Sequence, residues 1–173
     1  MVNNFTAAQW IQQKSGVNSS FAEVQFLNPN TGWVCGANGT ILKTTNGGIN
    51  WASQNSGVSE TLYDLHAVDA NTVYCVGTFE TILKTTNGGN NWIIIRGNVN
   101  PGKFFYGLNF INANTGWICG SGQCVLRTTN GGNSFDSSFV PTTFYDVFFK
   151  DNQYGLLAGQ TGSLYKSTNG GIG

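Results

Sequence analysis

Short segments in which apolar and polar residues alternate recur along the chain. "FAEVQF" (21–26) alternates with the two-residue period of a β-strand, and "LYDLHAV", "FYGLNF" and "FYDVFF" repeat the pattern further on. Downstream of the first, "NPNTG" reads as a turn, "WVCG" as a second strand, "ANG" as a hairpin tip, "TILKT" as a third strand and "TNGGIN" as another tight turn. "WASQ" then starts a fourth strand. The Asn38-Gly39 pair suits the type I′ turn that matches the twist of a two-residue hairpin. Each unit is therefore predicted to be a four-stranded antiparallel meander.

The units recur at regular distances. Asn46, Asn87, Asn130 and Asn169 are separated by 41, 43 and 39 residues, and Gly36, Gly77, Gly120 and Gly159 keep the same intervals. A period near 40 with strand content predicts an all-β protein, a β-propeller with blades of about 41 residues. Helical repeats of similar length are excluded by the Gly, Asn, Thr and aromatic content and by the lack of helical periodicity. The 173 residues hold four blades' worth of strands, read as a single propeller domain over 1–173 or a propeller fragment. Blades end near Trp51, Trp92 and Phe135. The last unit stops after the turn at Gly171, while "WIQQ" at the other end resembles a fourth strand, so Trp10 is the candidate for ring closure. Such closure hides unpaired sheet edges. It can be made in cis as four blades, in trans by two chains as a homodimeric eight-bladed ring, or with missing blades of a longer chain.

Composition narrows the function. Only 9% of residues are charged and the formal net charge is zero, so broad attraction to nucleic acid or an anionic membrane is not expected. No apolar run is long enough for membrane insertion. The opening "MVNNFTAAQW" lacks the basic and apolar regions of a signal peptide. The four cysteines, Cys35, Cys75, Cys119 and Cys124, form no CxxC pair and stand with a single histidine. Buried core roles are expected for them, and no metal or other cofactor.

Thr44-x-Asn46-x-Gly48-x-x-Trp51 resembles the Asp-box, [ST]-x-D-x-G-x-x-[WF]. It recurs at Thr85, Asn87, Gly89 and Trp92, then at Thr128, Asn130, Gly132 and Phe135. A final copy at Ser167, Asn169 and Gly171 lacks its aromatic residue. With "GWVCGANGTILKT", the whole unit is similar to the BNR-like repeat of photosystem II stability/assembly factors, and the likeness runs over nearly all of residues 10–171. Related repeats occur in large secreted bacterial proteins, which implies an extracellular or cell-envelope location. In this chain the box carboxylate is Asn in every copy. That keeps the turn's hydrogen-bond acceptor, removes the charge, and points to a structural role rather than Ca²⁺ binding.

Two constellations are candidate binding sites. Glu23, Asp64 and Asp146 occupy one register of the first strand, with His66 two residues beyond Asp64 on the same side. In a propeller these side chains face the central channel and attract a cation or polar ligand; the simpler alternative is that each carboxylate accepts backbone N–H groups. Lys43, Lys84, Arg127 and Lys166 share a register of the third strand and form a candidate basic ring. "WIIIRG" (92–97) places three isoleucines on an expected outer edge, as a partner patch or beneath its own loop. Catalytic residues are not apparent: there is no HExxH or GxSxG motif, and two arginines cannot supply the three-Arg cluster of a sialidase. The expected function is a non-catalytic scaffold or binding module for a protein or glycan partner, self-assembling where the ring closes in trans. An Asp-box glycan-active hydrolase is the alternative, requiring two acids across an open cleft.

Overall fold

The computed structural model describes residues 10–97 and 99–172. Its strands are β1 (Phe21–Phe26), β2 (Gly32–Gly36), β3 (Ile41–Thr44), β4 (Ala52–Gln54), β5 (Leu62–Ala67), β6 (Val73–Gly77), β7 (Ile82–Thr85), β8 (Ile93–Arg96), β9 (Phe105–Phe110), β10 (Gly116–Gly120), β11 (Cys124–Thr128), β12 (Asp136–Phe139), β13 (Phe144–Phe149), β14 (Gly155–Gly159) and β15 (Leu164–Ser167). They form antiparallel meanders β1–β4, β5–β8, β9–β12 and β13–β15, which are blades 1 to 4; the first three have four strands and the last has three. This is the predicted all-β propeller architecture.

The hairpin tips follow from the turn residues. Asn38 and Gly39 both have positive φ, 56° and 63°, as a type I′ turn demands. The equivalent pair in blade 2 is Phe79 and Glu80, also at positive φ, 58° and 59°, without a glycine. Surrounding bonds hold that unfavourable tip. The Glu80 carboxylate is buried against Arg96 and accepts from Asn100 Nδ2 at 3.1 Å, while the Glu80 N–H donates to Lys103 O. The loop after β8 is thereby tied to this tip. Of the "WIIIR" stretch, Ile95 packs into the core and Ile93 and Ile94 remain exposed.

The Asp-box turns repeat one hydrogen-bond set. Buried Thr44 donates from Oγ1 to Asn46 Oδ1 (3.0 Å) and accepts the Gly48 N–H (2.9 Å), while Asn46 Oδ1 accepts the Asn50 N–H (2.9 Å). Thr85 and Thr128 do the same with Asn87/Gly89 and Asn130/Gly132, and Ser167 does so with Asn169 and Gly171. Every acceptor needed is a neutral oxygen, so the turn does not depend on a carboxylate.

The core lies between blades. One cluster joins Trp33, Cys35 and Ile41 of blade 1 to Leu62, Leu65, Val73, Cys75 and Leu83 of blade 2. The next two join Tyr74, Val76 and Ile82 to blade 3, and Trp117, Cys119 and Val125 to blade 4. Cys35, Cys75 and Cys119 are buried free thiols inside these seams, and Cys124 is half-buried. The extensive packing of inner strands runs β1–β5–β9–β13 and does not return from β13 to β1. Among the described residues closure in cis through Trp10 is accordingly not made: residues 10–13 lie outside the strands, Trp10 is 99% exposed, and no described strand pairs with the outer edge of β15. The physical reason is curvature, since four blades in this arc do not bring the first beside the last.

Thr85→Val keeps the shape of a fully buried side chain but leaves the Gly89 N–H unpaired and removes one of the two donors to Asn87 Oδ1. Urea unfolding is expected to show a loss of roughly 2 kcal/mol. Asn87→Asp, which keeps the acceptor, is expected to stay within about 0.5 kcal/mol of the parent.

Candidate functional site

The inner strands line an open cavity of about 400 Å³ at the centre of the arc. Glu23, Asp64, His66 and Asp146 all border it, from β1, β5 and β13, so the structure brings together every residue of the predicted axial set. Tyr63, Tyr106 and Tyr145 join them. Adjacent strand residues ordinarily point to opposite faces. Here each inner strand has a bulge just before the acid register: between Phe21 and Glu23, between Leu62 and Asp64, opposite Cys119/Gly120 in blade 3, and between Phe144 and Asp146. The extra residue lets consecutive Tyr63-Asp64 and Tyr145-Asp146 both reach the cavity. The tyrosine rings touch in series, with centroids 5.2 Å apart for Tyr63–Tyr106 and 5.5 Å for Tyr106–Tyr145. These tyrosines were missed in the sequence because strict alternation turns them away from the acids; their shared register, one residue before Asp64, Gly107 and Asp146, was the available signal.

Backbone groups engage the carboxylates. Asp64 Oδ1 accepts the Leu65 N–H (2.7 Å), and Oδ2 accepts the Leu108 N–H of the next blade (2.8 Å). Asp146 Oδ1 accepts the Val147 N–H (2.8 Å). Burial raises the Asp64 carboxyl to about 7; the two N–H bonds oppose the rise, and repulsion from Glu23 and Asp146 adds to it. Glu23 is raised mainly by burial, with a further push from Asp146. Burial lowers the His66 imidazole, so the neutral ring is favoured. Tyr106 is raised by burial and by its two tyrosine neighbours. Among the described residues no lysine or arginine lines this cavity. Among the described residues no group of three or more His, Cys, Asp or Glu is placed to hold a metal ion.

The basic register does not form a ring facing a partner. Lys43 Nζ donates to Gly88 O in the Asp-box of the next blade at 2.8 Å and sits 5.0 Å from the Trp33 ring centroid. Lys84 repeats this with Gly131 O, again 2.8 Å, beside the Tyr74 ring, and Tyr74 Oη donates to the same carbonyl at 3.1 Å. In the third seam Trp117 Nε1 takes the Gly170 carbonyl at 2.9 Å while Arg127 lies over the Trp117 ring. Burial accordingly lowers the Lys43 and Lys84 ammonium groups. Lys166 alone is exposed. Two members of the register, Lys43 and Lys84, are thus blade-to-blade latches, a role the sequence did not disclose because it joins residues more than 40 positions apart.

The raised Asp64 sets a pH dependence. Its folded value of about 7 lies above its ordinary 3.8, so the native state keeps a proton that the unfolded chain releases between those values. Stability from this group is therefore complete below pH about 4 and is lost as pH rises towards 7. Lowered His66 acts with the opposite sign, as its folded form resists protonation below its ordinary 6.5. The stability difference between the parent and Asp64→Asn, measured by urea unfolding across pH 4 to 8, is expected to move in favour of the variant with rising pH and to level off above about 7.

Solved structures share the architecture. An ancestral GH74 enzyme superposes with a TM-score of 0.72 at 21% identity, covering 96% of this chain and 25% of its own. YCF48 from Cyanidioschyzon merolae gives 0.68 at 18% identity, covering 92% and 59%. The WD40 β-propeller domain of Doa1 gives 0.71 at 14% identity, covering 86% and 50%. The chain thus spans between a quarter and three-fifths of these structures, and at such identities the likeness is one of fold. No curated protein matches the chain. A family model described as photosynthesis system II assembly factor YCF48 matches residues 2–103, more than half of the 173 residues, and the chain belongs to that family.

Proposed function

We propose that this chain is a non-catalytic propeller module that binds a protein partner, taking a basic side chain of that partner into the axial cavity. The observation that carries the reading is the convergence of Glu23, Asp64 and Asp146 with the Tyr63–Tyr106–Tyr145 series on a cavity that, among the described residues, no lysine or arginine lines. Carboxylates attract a lysine or arginine, and tyrosine faces stabilise it by cation–π contact while their hydroxyls stay wet. A family described as an assembly factor fits a protein rather than a small-molecule partner.

Glycan hydrolysis is the competing reading, favoured by the burial that pushes the Asp64 carboxyl up to about 7 beside two other carboxylates, the range of a general acid. Its bonding speaks for the structural role. Both Asp64 oxygens accept backbone N–H groups, one from the neighbouring blade, so the carboxyl is anchored across the seam.

Titration with an Arg/Lys-rich peptide, followed by amide chemical shifts, is expected to perturb β1, β5 and β13. Tyr106→Ala and the Glu23→Gln/Asp146→Asn pair are each expected to weaken binding more than about fivefold, and an acidic peptide of equal length should not bind. Incubation with β-glucans is expected to release no reducing ends. Equal binding of the acidic peptide, or turnover abolished by Asp64→Asn, would overturn the proposal.

A further inference from the structure

The hairpin tip of blade 2 keeps a phenylalanine in a backbone conformation that favours glycine or asparagine. Phe79 stands at φ 58°, where blade 1 has Asn38, and the tips of blades 1, 3 and 4 each hold a glycine at positive φ, Gly39, Gly122 and Gly162. A bulky residue stays in that region only when its surroundings enforce it, and such strain collects where a side chain has to be presented in one way. Three contacts enforce it here. Glu80 is clasped by Arg96 and Asn100, Thr78 forms an antiparallel bridge with Phe104, and the Phe79 carbonyl accepts the Val99 N–H at 3.3 Å. The Phe79 ring adds nothing to the core: it is half-buried and belongs to none of the three clusters between blades.

What Phe79 meets is Phe104, with ring centroids 6.2 Å apart, and Phe104 meets Tyr106, again at 6.2 Å. The tyrosine series of the axial cavity thereby continues outwards to the strained tip. Phe79, Phe104, Tyr106 and Tyr63 are all partly exposed, and they lie on blades 2 and 3, each of which packs against a blade on either side. Their exposure is therefore a property of the middle of the arc. The Phe104 backbone is fixed as well, since its N–H donates to Ser121 Oγ at 2.8 Å and its carbonyl accepts the Ser121 N–H at 2.9 Å. A row of rings held in place in this way needs little ordering when it binds.

The shape and chemistry of the row select its occupant. Neighbouring rings are inclined to one another by 44° to 57°, which makes a line of clefts rather than a flat platform for stacked sugars. The Tyr63, Tyr106 and Tyr145 hydroxyls, unlike that of Tyr74, have no hydrogen-bond partner among the described residues. A polyproline II segment matches both features: it has no internal hydrogen bonds, so its carbonyls are free to accept, and its prolines seat between aromatic side chains. The steps of 5.2 to 6.2 Å between rings correspond to about two residues of that helix. Glu23, Asp64 and Asp146 stand at one end of the row only, which calls for a basic residue at one end of the segment.

We propose that, on the protein-partner reading given above, the bound element is a proline-rich segment in the polyproline II conformation, with its basic side chain in the axial cavity and its prolines in the clefts formed by Tyr106, Phe104 and Phe79. The strained tip sets the far end of the row.

Two synthetic peptides of equal length test this, each with one arginine at the same place, one rich in proline and the other with alanine at every proline position. Titration into the full chain, followed by amide chemical shifts, is expected to show the proline peptide binding more than about tenfold tighter. It is also expected to perturb Thr78, Phe79 and Phe104 in addition to β1, β5 and β13. Phe79→Asn places a residue that tolerates positive φ at the tip. This variant is expected to keep or raise the urea stability, to remove most of the proline advantage, and to leave binding of the alanine peptide unchanged. Equal binding of the two peptides, or a proline advantage that survives in Phe79→Asn, would overturn the inference and leave the basic-side-chain reading standing. Binding of neither peptide would remove both. A loss of stability in Phe79→Asn would make the ring a structural one, and shifts at Phe79 and Phe104 from a cello-oligosaccharide alone would assign the clefts to sugar; either result overturns the inference.

Discussion

The protein depends on one recurrent contact: a backbone carbonyl in the Asp-box turns of blades 2, 3 and 4 is taken by a donor from the blade before it. A carbonyl left bare in an apolar seam would cost on the order of 1–3 kcal/mol. The chain meets that need three times with different donors. Lys43 alone serves Gly88, Lys84 and Tyr74 share Gly131, and Trp117 serves Gly170. Where the lysine holds the carbonyl, the Trp33 Nε1 is left buried without a partner; where the tryptophan holds it, the Arg127 Nε is. One acceptor is contested by two donors, and the seam tolerates the loser by stacking cation over ring.

This contact explains why the box works with asparagine. The Asn side chain organises the turn internally, by accepting one hydroxyl and one N–H, and the turn exports a carbonyl rather than a charge. A carboxylate adds nothing to either job. The inner strands show the same economy of means. A bulge in blades 2 and 4 brings two neighbouring side chains to the axis, Tyr63-Asp64 and Tyr145-Asp146, and one axial carboxylate is then used twice: Asp64 binds its own blade and the next one through its two oxygens while still bordering the cavity.

The fold was readable because it repeats. Alternation at 21–26, the Asn38-Gly39 tip and the intervals between the box asparagines all reflect local backbone chemistry, and each reappears in the structure. The axial register of Glu23, Asp64 and Asp146 was readable for the same reason. The tyrosines at 63, 106 and 145 were not, since a bulge breaks the two-residue rule that assigns a side chain to a face. Nor was the purpose of Lys43 and Lys84, because a residue's partner in the neighbouring blade leaves no mark in its own unit. The Phe79-Glu80 tip shows the limit most plainly. Its residues argue against positive φ, and only the loop that follows β8, with Arg96 and Asn100, holds it. Trp10 was marked by its sequence as an outer strand, yet the arc of four blades leaves it without an edge to join.

The central claim is that stability passes from blade to blade through the Asp-box carbonyl, in one direction. Hydrogen exchange of Lys84→Met measures it most directly. The latch runs from β7 to Gly131 O, so the account predicts faster exchange at the blade 3 turn, above all at the Gly132 amide held by Thr128, with the blade 1 turn at Gly48 unchanged. Exchange that rises only within blade 2, or not at all at Gly132, would contradict it.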